Sequence, residues 1–142
     1  MLTILNARVQ VDLGENVPHV TIEYSANVAV DHDIDALVSA VHTAALDHGL
    51  AAVDALRTRA AERAHYRIAD GNSSFAFVAI HVRIGPRRDL EQKQTFIEAL
   101  LDAAIAALTP TELAIAWSIE LNEIDPNLRI NMNNVRKARE AG

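Results

Sequence analysis

A strand–helix–strand pattern occurs twice in this chain, and that repeat limits the folds open to it. Pro18 and Phe75 open the first strand of each half, Leu56 and Leu113 open the second, and both offsets are 57 (75 − 18 and 113 − 56). In the first half, Val20, Ile22 and Tyr24 alternate with Thr21, Glu23 and Ser25, the period of a half-buried strand. Asp31 or Asp33 is placed to cap a helix whose apolar face is Ile34, Leu37, Val38, Val41 and Ala45. Gly49 stands where a left-handed C-terminal cap belongs. A second strand is expected within Leu56–Ile68, irregular in its middle, followed by a hairpin-type turn signal at Asp70-Gly71-Asn72.

The second half repeats this order. Phe75 to Ile84 is apolar on both faces near its start, as a central strand would be. Asp89 and Gln92 resemble a capping box, and Leu90, Ile97, Leu100, Leu101, Ala104 and Leu108 mark one helix face that ends before Pro110. Leu113, Ile115, Trp117, Ile119 and Leu121 alternate as a fourth strand. Each helix is long enough to be a right-handed crossover between parallel strands. Two such β-α-β units in tandem predict an α+β fold, a four-stranded mixed sheet with both helices on one face. Trp117 and the aliphatic residues of the last two strands point to another subunit covering the other face. The polar tail from Asp125 to Gly142 is expected to wrap a neighbour or fray. Met1–Asn16 reads as an appendage, with a short strand drawn from Leu2, Ile4, Val9 and Val11 and a turn at Leu13–Asn16. The expected units are an N-terminal extension over 1–17 and a domain over 18–142, its halves being 18–74 and 75–131.

Composition narrows the chemistry. The 142 residues suffice for one domain with a real core. A net charge of −6 argues against nucleic acid and anionic membrane as partners. No apolar run approaches the roughly 20 residues of a membrane span, and the first residues make a poor secretory signal. With no cysteine there is no thiol nucleophile or disulfide, which is compatible with a reducing cytoplasm. The six histidines lack the paired spacing of a zinc site, so no metal is expected. The positive residues cluster: Arg57, Arg59, Arg63 and Arg67 in one group, Arg83, Arg87 and Arg88 in another. Taken alone, such arginines are most simply solvated or ion-paired at the surface. Pro18 is most simply a first-position strand proline, which has no N–H to withhold from the ladder. His19 reads as a strand histidine bonded to the backbone, and Trp117 as packing. Glu23, Ser25 and Asn27 suit either a pocket wall or a subunit contact.

From Pro18 to about Lys137 the chain resembles the 5-carboxymethyl-2-hydroxymuconate Δ-isomerase family of the tautomerase superfamily. The resemblance rests on the order and spacing of Pro18–Asn27, Arg57-Thr58-Arg59, Ala69-Asp70-Gly71, Phe75–Val78, Ile84–Glu91, Ile119-Glu120 and Asn133-Asn134-Val135. It implies a homotrimer whose sheets face an internal barrel, and an isomerase that works without metal or organic cofactor. The implied substrate is a small, multiply charged carboxylate from the catabolism of aromatic acids. Pro18 matches the family's base, and Arg57 and Arg88 match its active-site arginines. An α-amino nitrogen titrates near ~8, and burial beside cations lowers that value. A guanidinium grips a carboxylate with paired hydrogen bonds and stabilises charge that grows on an enolate.

The chain departs from the family at one point. A proline acts as a base only as a free secondary amine, and here Val17 precedes it. Translation starting at Val17 from a GUG initiation codon, which is read as methionine at a start and then trimmed, frees Pro18. So does cleavage after Val17. If the extension is retained, Pro18 is an amide, and the second functional class applies: a catalytically silent or ligand-binding trimer whose pocket the extension covers.

Overall fold

The computed structural model describes residues 10–12 and 18–142. Its elements are β1 (Gln10–Asp12), β2 (His19–Ser25), α1 (Val28–Asp31), α2 (Ile34–His48), β3 (Arg57–Arg63), β4 (Phe75–Ile84), α3 (Leu90–Ala107), β5 (Ala114–Glu123), β6 (Asn131–Asn133) and α4 (Val135–Ala141). The main sheet has the order β3-β2-β4-β5. β2 runs parallel to β3 and β4 parallel to β5, while the central pair, β2 and β4, is antiparallel. The two β-α-β units are therefore related by a local two-fold, and the first residues of β3 and β5 keep the spacing 114 − 57 = 57.

Local chemistry explains the boundaries. Asp33, rather than Asp31, caps α2, its Oδ1 accepting from the N–H groups of Asp35 (2.9 Å) and Ala36 (3.3 Å). Asp31 ends the short α1 turn instead. Gly49 stops α2 at φ 85°, a conformation only glycine adopts without strain. α3 opens with a complete capping box between Asp89 and Gln92. The Asp70-Gly71-Asn72 turn has Gly71 at φ 89° but closes no hairpin. β3 and β4 are separated by β2, so the turn carries the chain across the sheet end.

One core lies between the sheet and the helices. β2 contributes Val20, Ile22 and Tyr24 to it, β4 contributes Ala76, Val78, Ile80, Val82 and Ile84, α2 contributes Leu37, Val41 and Ala45, and α3 contributes Phe96, Leu100 and Ala104. Leu90, expected on the buried face, is 66% exposed. At 100° per residue it lies roughly 120° around the helix from fully buried Phe96. Ile115, Trp117, Ile119 and Leu121 also pack on this core, in register with Ala76, Val78, Ile80 and Val82. They lie on the helix-covered face, so they are no argument for a subunit on the other one. The open face carries His19, Thr21, Glu23, Arg57, Arg59, Arg83, His81, Glu120 and small residues such as Ala61 and Ala79.

The tail makes contacts within its own chain. β6 pairs antiparallel with β1, Gln10 opposite Asn133 and Asp12 opposite Asn131. The Arg136 guanidinium of α4 pairs with the Asp54 carboxylate just before β3. Val11 thus lies in the expected N-terminal strand, while the rest of that strand, the Leu13–Asn16 turn and Val17 lie outside the described residues.

Candidate active site

The strand directions bring one end of each main strand to the start of β2. Because β3 is parallel to β2, Arg57 stands opposite His19, and its N–H donates to the carbonyl of buried Pro18 at 3.2 Å. Because β4 is antiparallel, Arg83 flanks His19 on the other side, and the chain continues at this end through Gly85 to Arg88. Arg87 turns it into α3 at φ 80°, a left-handed conformation that costs on the order of 1 kcal/mol for a non-glycine residue. Arg88 Nη2 donates to the carbonyl of Leu50, just beyond α2, at 3.4 Å. Pro18, Arg57 and the loop bearing Arg88 thus share one sheet end. The repeat explains this, since it makes the start of one strand pair meet the end of the other.

Among the described residues, His19 makes no backbone hydrogen bond through its ring. Its Nε2 lies 3.5 Å from Arg57 Nη1 and its Nδ1 lies 3.4 Å from Arg59 Nη1. Burial pushes the imidazole below its ordinary pKa, and the charges of Arg57, Arg59, Arg83 and Arg129 push it the same way. The ring is therefore neutral at pH 7. A neutral imidazole has one acceptor nitrogen, so it accepts from only one of the two guanidiniums at a time.

Asn131 of β6 was not visible as a site residue in the sequence. It is buried, and its Oδ1 accepts from Arg57 Nη2 at 2.9 Å. Its Nδ2 is also buried, with no hydrogen-bond partner among the described residues. The only local sequence signal is an asparagine between Ile130 and Met132, which by itself distinguishes nothing. Arg57 therefore has two neutral neighbours, and it forms no ion pair with a described residue.

The remaining candidates have other partners. Arg63 pairs with Glu23 at 2.6 Å, and Arg67 donates to the Tyr66 carbonyl at 2.8 Å. Ser25 and Asn27 join β2 to β4 at the far end of the sheet. Ser25 Oγ accepts from the N–H of Phe77 at 2.9 Å and donates to Asn27 Oδ1 at 2.7 Å, while Asn27 Nδ2 donates to the Phe75 carbonyl at 2.8 Å. A cleft of about 470 Å³ beside Tyr66, Arg67, Gly71 and Phe75 also opens at that far end, with Arg67 the one charged residue among its described lining residues. Among the described residues no helix is long and apolar enough to cross a membrane.

The same fold occurs in solved structures. A 5-carboxymethyl-2-hydroxymuconate delta-isomerase crystal structure superposes with a TM-score of 0.80 at 23% identity, covering 90% of this chain and 96% of that one. A 5-carboxymethyl-2-hydroxymuconate isomerase from Deinococcus radiodurans R1 gives 0.75 at 25% identity, covering 90% and 98%. A fused 4-OT symmetric trimer gives 0.54 at 19% identity, covering 74% and 85%, a likeness of fold. These neighbours define a tautomerase-superfamily fold. In sequence, the Escherichia coli 5-carboxymethyl-2-hydroxymuconate Delta-isomerase is 30% identical over 122 residues, 84% of this chain and 96% of its own. The chain belongs to the 5-carboxymethyl-2-hydroxymuconate isomerase family, whose model matches residues 18–139.

Proposed function

We propose that this protein is a cofactor-independent isomerase of a small unsaturated hydroxy or keto carboxylate such as 5-carboxymethyl-2-hydroxymuconate, acting in the catabolism of aromatic acids. Pro18 is the base and Arg57 and Arg88 bind the substrate, within a domain spanning 18–142. The observation that carries this is that Pro18, Arg57 and the loop bearing Arg88 lie at one sheet end, in a chain of this family. A free Pro18 nitrogen takes the proton from the enol hydroxyl of a 2-hydroxy diene, or, in a keto isomer, from the carbon next to the conjugated carbonyl. The bonding pair left behind forms a dienolate, with negative charge on its oxygen. A guanidinium beside that oxygen stabilises the charge. The prolinium then returns the proton to the carbon at the far end of the conjugated system, so the oxygen ends as a ketone, one double bond has moved and the atom count is unchanged. The burial of Pro18 and the cations around His19 both disfavour a protonated ring nitrogen.

The assembly that fits this activity is a cytoplasmic homotrimer. The symmetric-trimer neighbour supports it, as do Leu128 and Ile130 on the C-terminal arm, 83% and 66% exposed, which a second copy would cover. A second reading has its own support. β1 pairs with β6, the strand whose Asn131 holds Arg57, so Gln10–Asp12 of the extension lie beside the strand that holds the proposed site's arginine. With that segment retained, Pro18 is an amide and the trimer binds ligand without turning it over.

One comparison tests both. Protein beginning at Pro18 is expected to isomerise 5-carboxymethyl-2-hydroxymuconate, and Pro18→Ala in that form is expected to lose roughly 10²–10⁴-fold in kcat. The 142-residue chain is expected to be inactive until residues 1–17 are removed. Equal activity in the Pro18→Ala form would remove proline as the base. Intact mass of the protein from its natural host shows which form exists.

A further inference from the structure

The described arginines of this chain are not all held alike. Arg63 meets Glu23 at 2.6 Å and Arg136 meets Asp54, so the charge of each is compensated by a carboxylate. Arg57 is held differently. Nη2 donates to the amide oxygen of buried Asn131 at 2.9 Å and Nη1 faces the His19 ring at 3.5 Å, both uncharged groups. Its remaining N–H groups have no partner among the described residues. The oxygen of Asn131, not its nitrogen, must face the guanidinium, because arginine has only donors. The arm that carries Asn131 is itself tied down two residues after β6, where α4 begins and Arg136 reaches Asp54.

We propose that Asn131 is a positioning residue: a neutral anchor that fixes the Arg57 guanidinium while leaving its whole charge for a carboxylate of the substrate. This rests on Arg57 being a substrate-binding group. An aspartate of the same shape would keep the hydrogen bond and strengthen it, but would neutralise the arginine and repel an incoming carboxylate. A hydrogen bond present only for stability tolerates that change, whereas an anchor for an anion site does not. The choice of amide over acid at position 131 is what separates a binding arginine from a structural one.

The test is calorimetric binding of muconate and sorbate, six-carbon dienes with two and one carboxylates, to the 142-residue chain. Asn131→Asp is expected to weaken muconate at least about tenfold, to narrow the preference for muconate over sorbate, and to leave the melting temperature unchanged or higher. Asn131→Ala loosens the arginine without adding charge and is expected to weaken muconate about tenfold as well, which serves if the aspartate variant does not fold. Wild-type affinity in either folded variant, alongside weak binding by Arg57→Ala, overturns the anchor and spares the role of Arg57. Muconate binding unmoved by Arg57→Ala removes Arg57 as the substrate-binding group and the anchor with it, as does the absence of binding both in the 142-residue chain and in the form beginning at Pro18.

Discussion

Arg57 and Arg63 lie six residues apart on one strand and one face, yet their surroundings make them different reagents. Arg63 and Glu23 are 54% and 29% exposed, and such a pair is worth about 0–1 kcal/mol. Arg57 stands against a buried amide and an imidazole that burial and nearby arginines keep neutral. His19 therefore links pH to stability. Its folded pKa lies below the ordinary 6.5, so between those two values the unfolded chain binds more protons than the folded one. The stability from a neutral His19 is fully present above about 6.5 and is lost as pH falls through the folded pKa. Thermal melts from pH 7.5 to 5 are expected to show a shallower decline in His19→Asn than in the wild type. Parallel profiles would mean that other groups set the dependence.

Among the elements, the junction of β2 and β4 is the most exacting. It is the only antiparallel pairing in the four-stranded sheet, and it joins the two β-α-β units. Side-chain hydrogen bonds reinforce one end of it. Ser25 is fully buried, and its hydroxyl accepts from Phe77 N–H while donating to Asn27, whose amide reaches the Phe75 carbonyl. Replacing Ser25 by alanine leaves a buried N–H without an acceptor. The expected cost is about 1–3 kcal/mol, read as a lower denaturant midpoint. Because this end is remote from Pro18, the affinity of the folded variant for muconate is expected to stay at the wild-type value. A Ser25→Ala protein as stable as the wild type would mean that the hydrogen-bonded chain carries no net stability.

Across the whole molecule, the open face of the sheet presents the central question. It is not the apolar surface that an uncovered sheet in a stable dimer core would show. Cationic residues (Arg57, Arg59, Arg83) gather around neutral His19 at one end, small residues such as Ala61 and Ala79 lie toward the middle, and Glu120 and His81 pair at 3.0 Å. Such a face suits a wide assembly with a polar interior, and the apolar contacts then fall to the periphery, where Leu128 and Ile130 are exposed. Sedimentation equilibrium is expected to give three copies, with a melting temperature that drops on dilution, because association stabilises by mass action. A concentration-independent monomer would overturn the trimer.

Much of this was legible in the chain because it is local or periodic. The 57-residue repeat, the caps at Asp33, Gly49 and Asp89, and the alternation through β2, β4 and β5 are set by neighbours in sequence. Together with the right-handed crossover they determine a sheet with two helices on one face. Pro18, Arg57 and Arg88 could be picked out only through a family resemblance, since composition alone leaves them as strand and surface residues. The side to which Trp117 turns, the fate of the tail and the role of Asn131 depended on contacts between residues far apart in sequence. Asn131 meets Arg57 across 74 positions, in a three-residue strand with no periodic signature of its own. Local propensity selects the elements, whereas a guanidinium's partner is decided by which backbone the closed fold lays beside it.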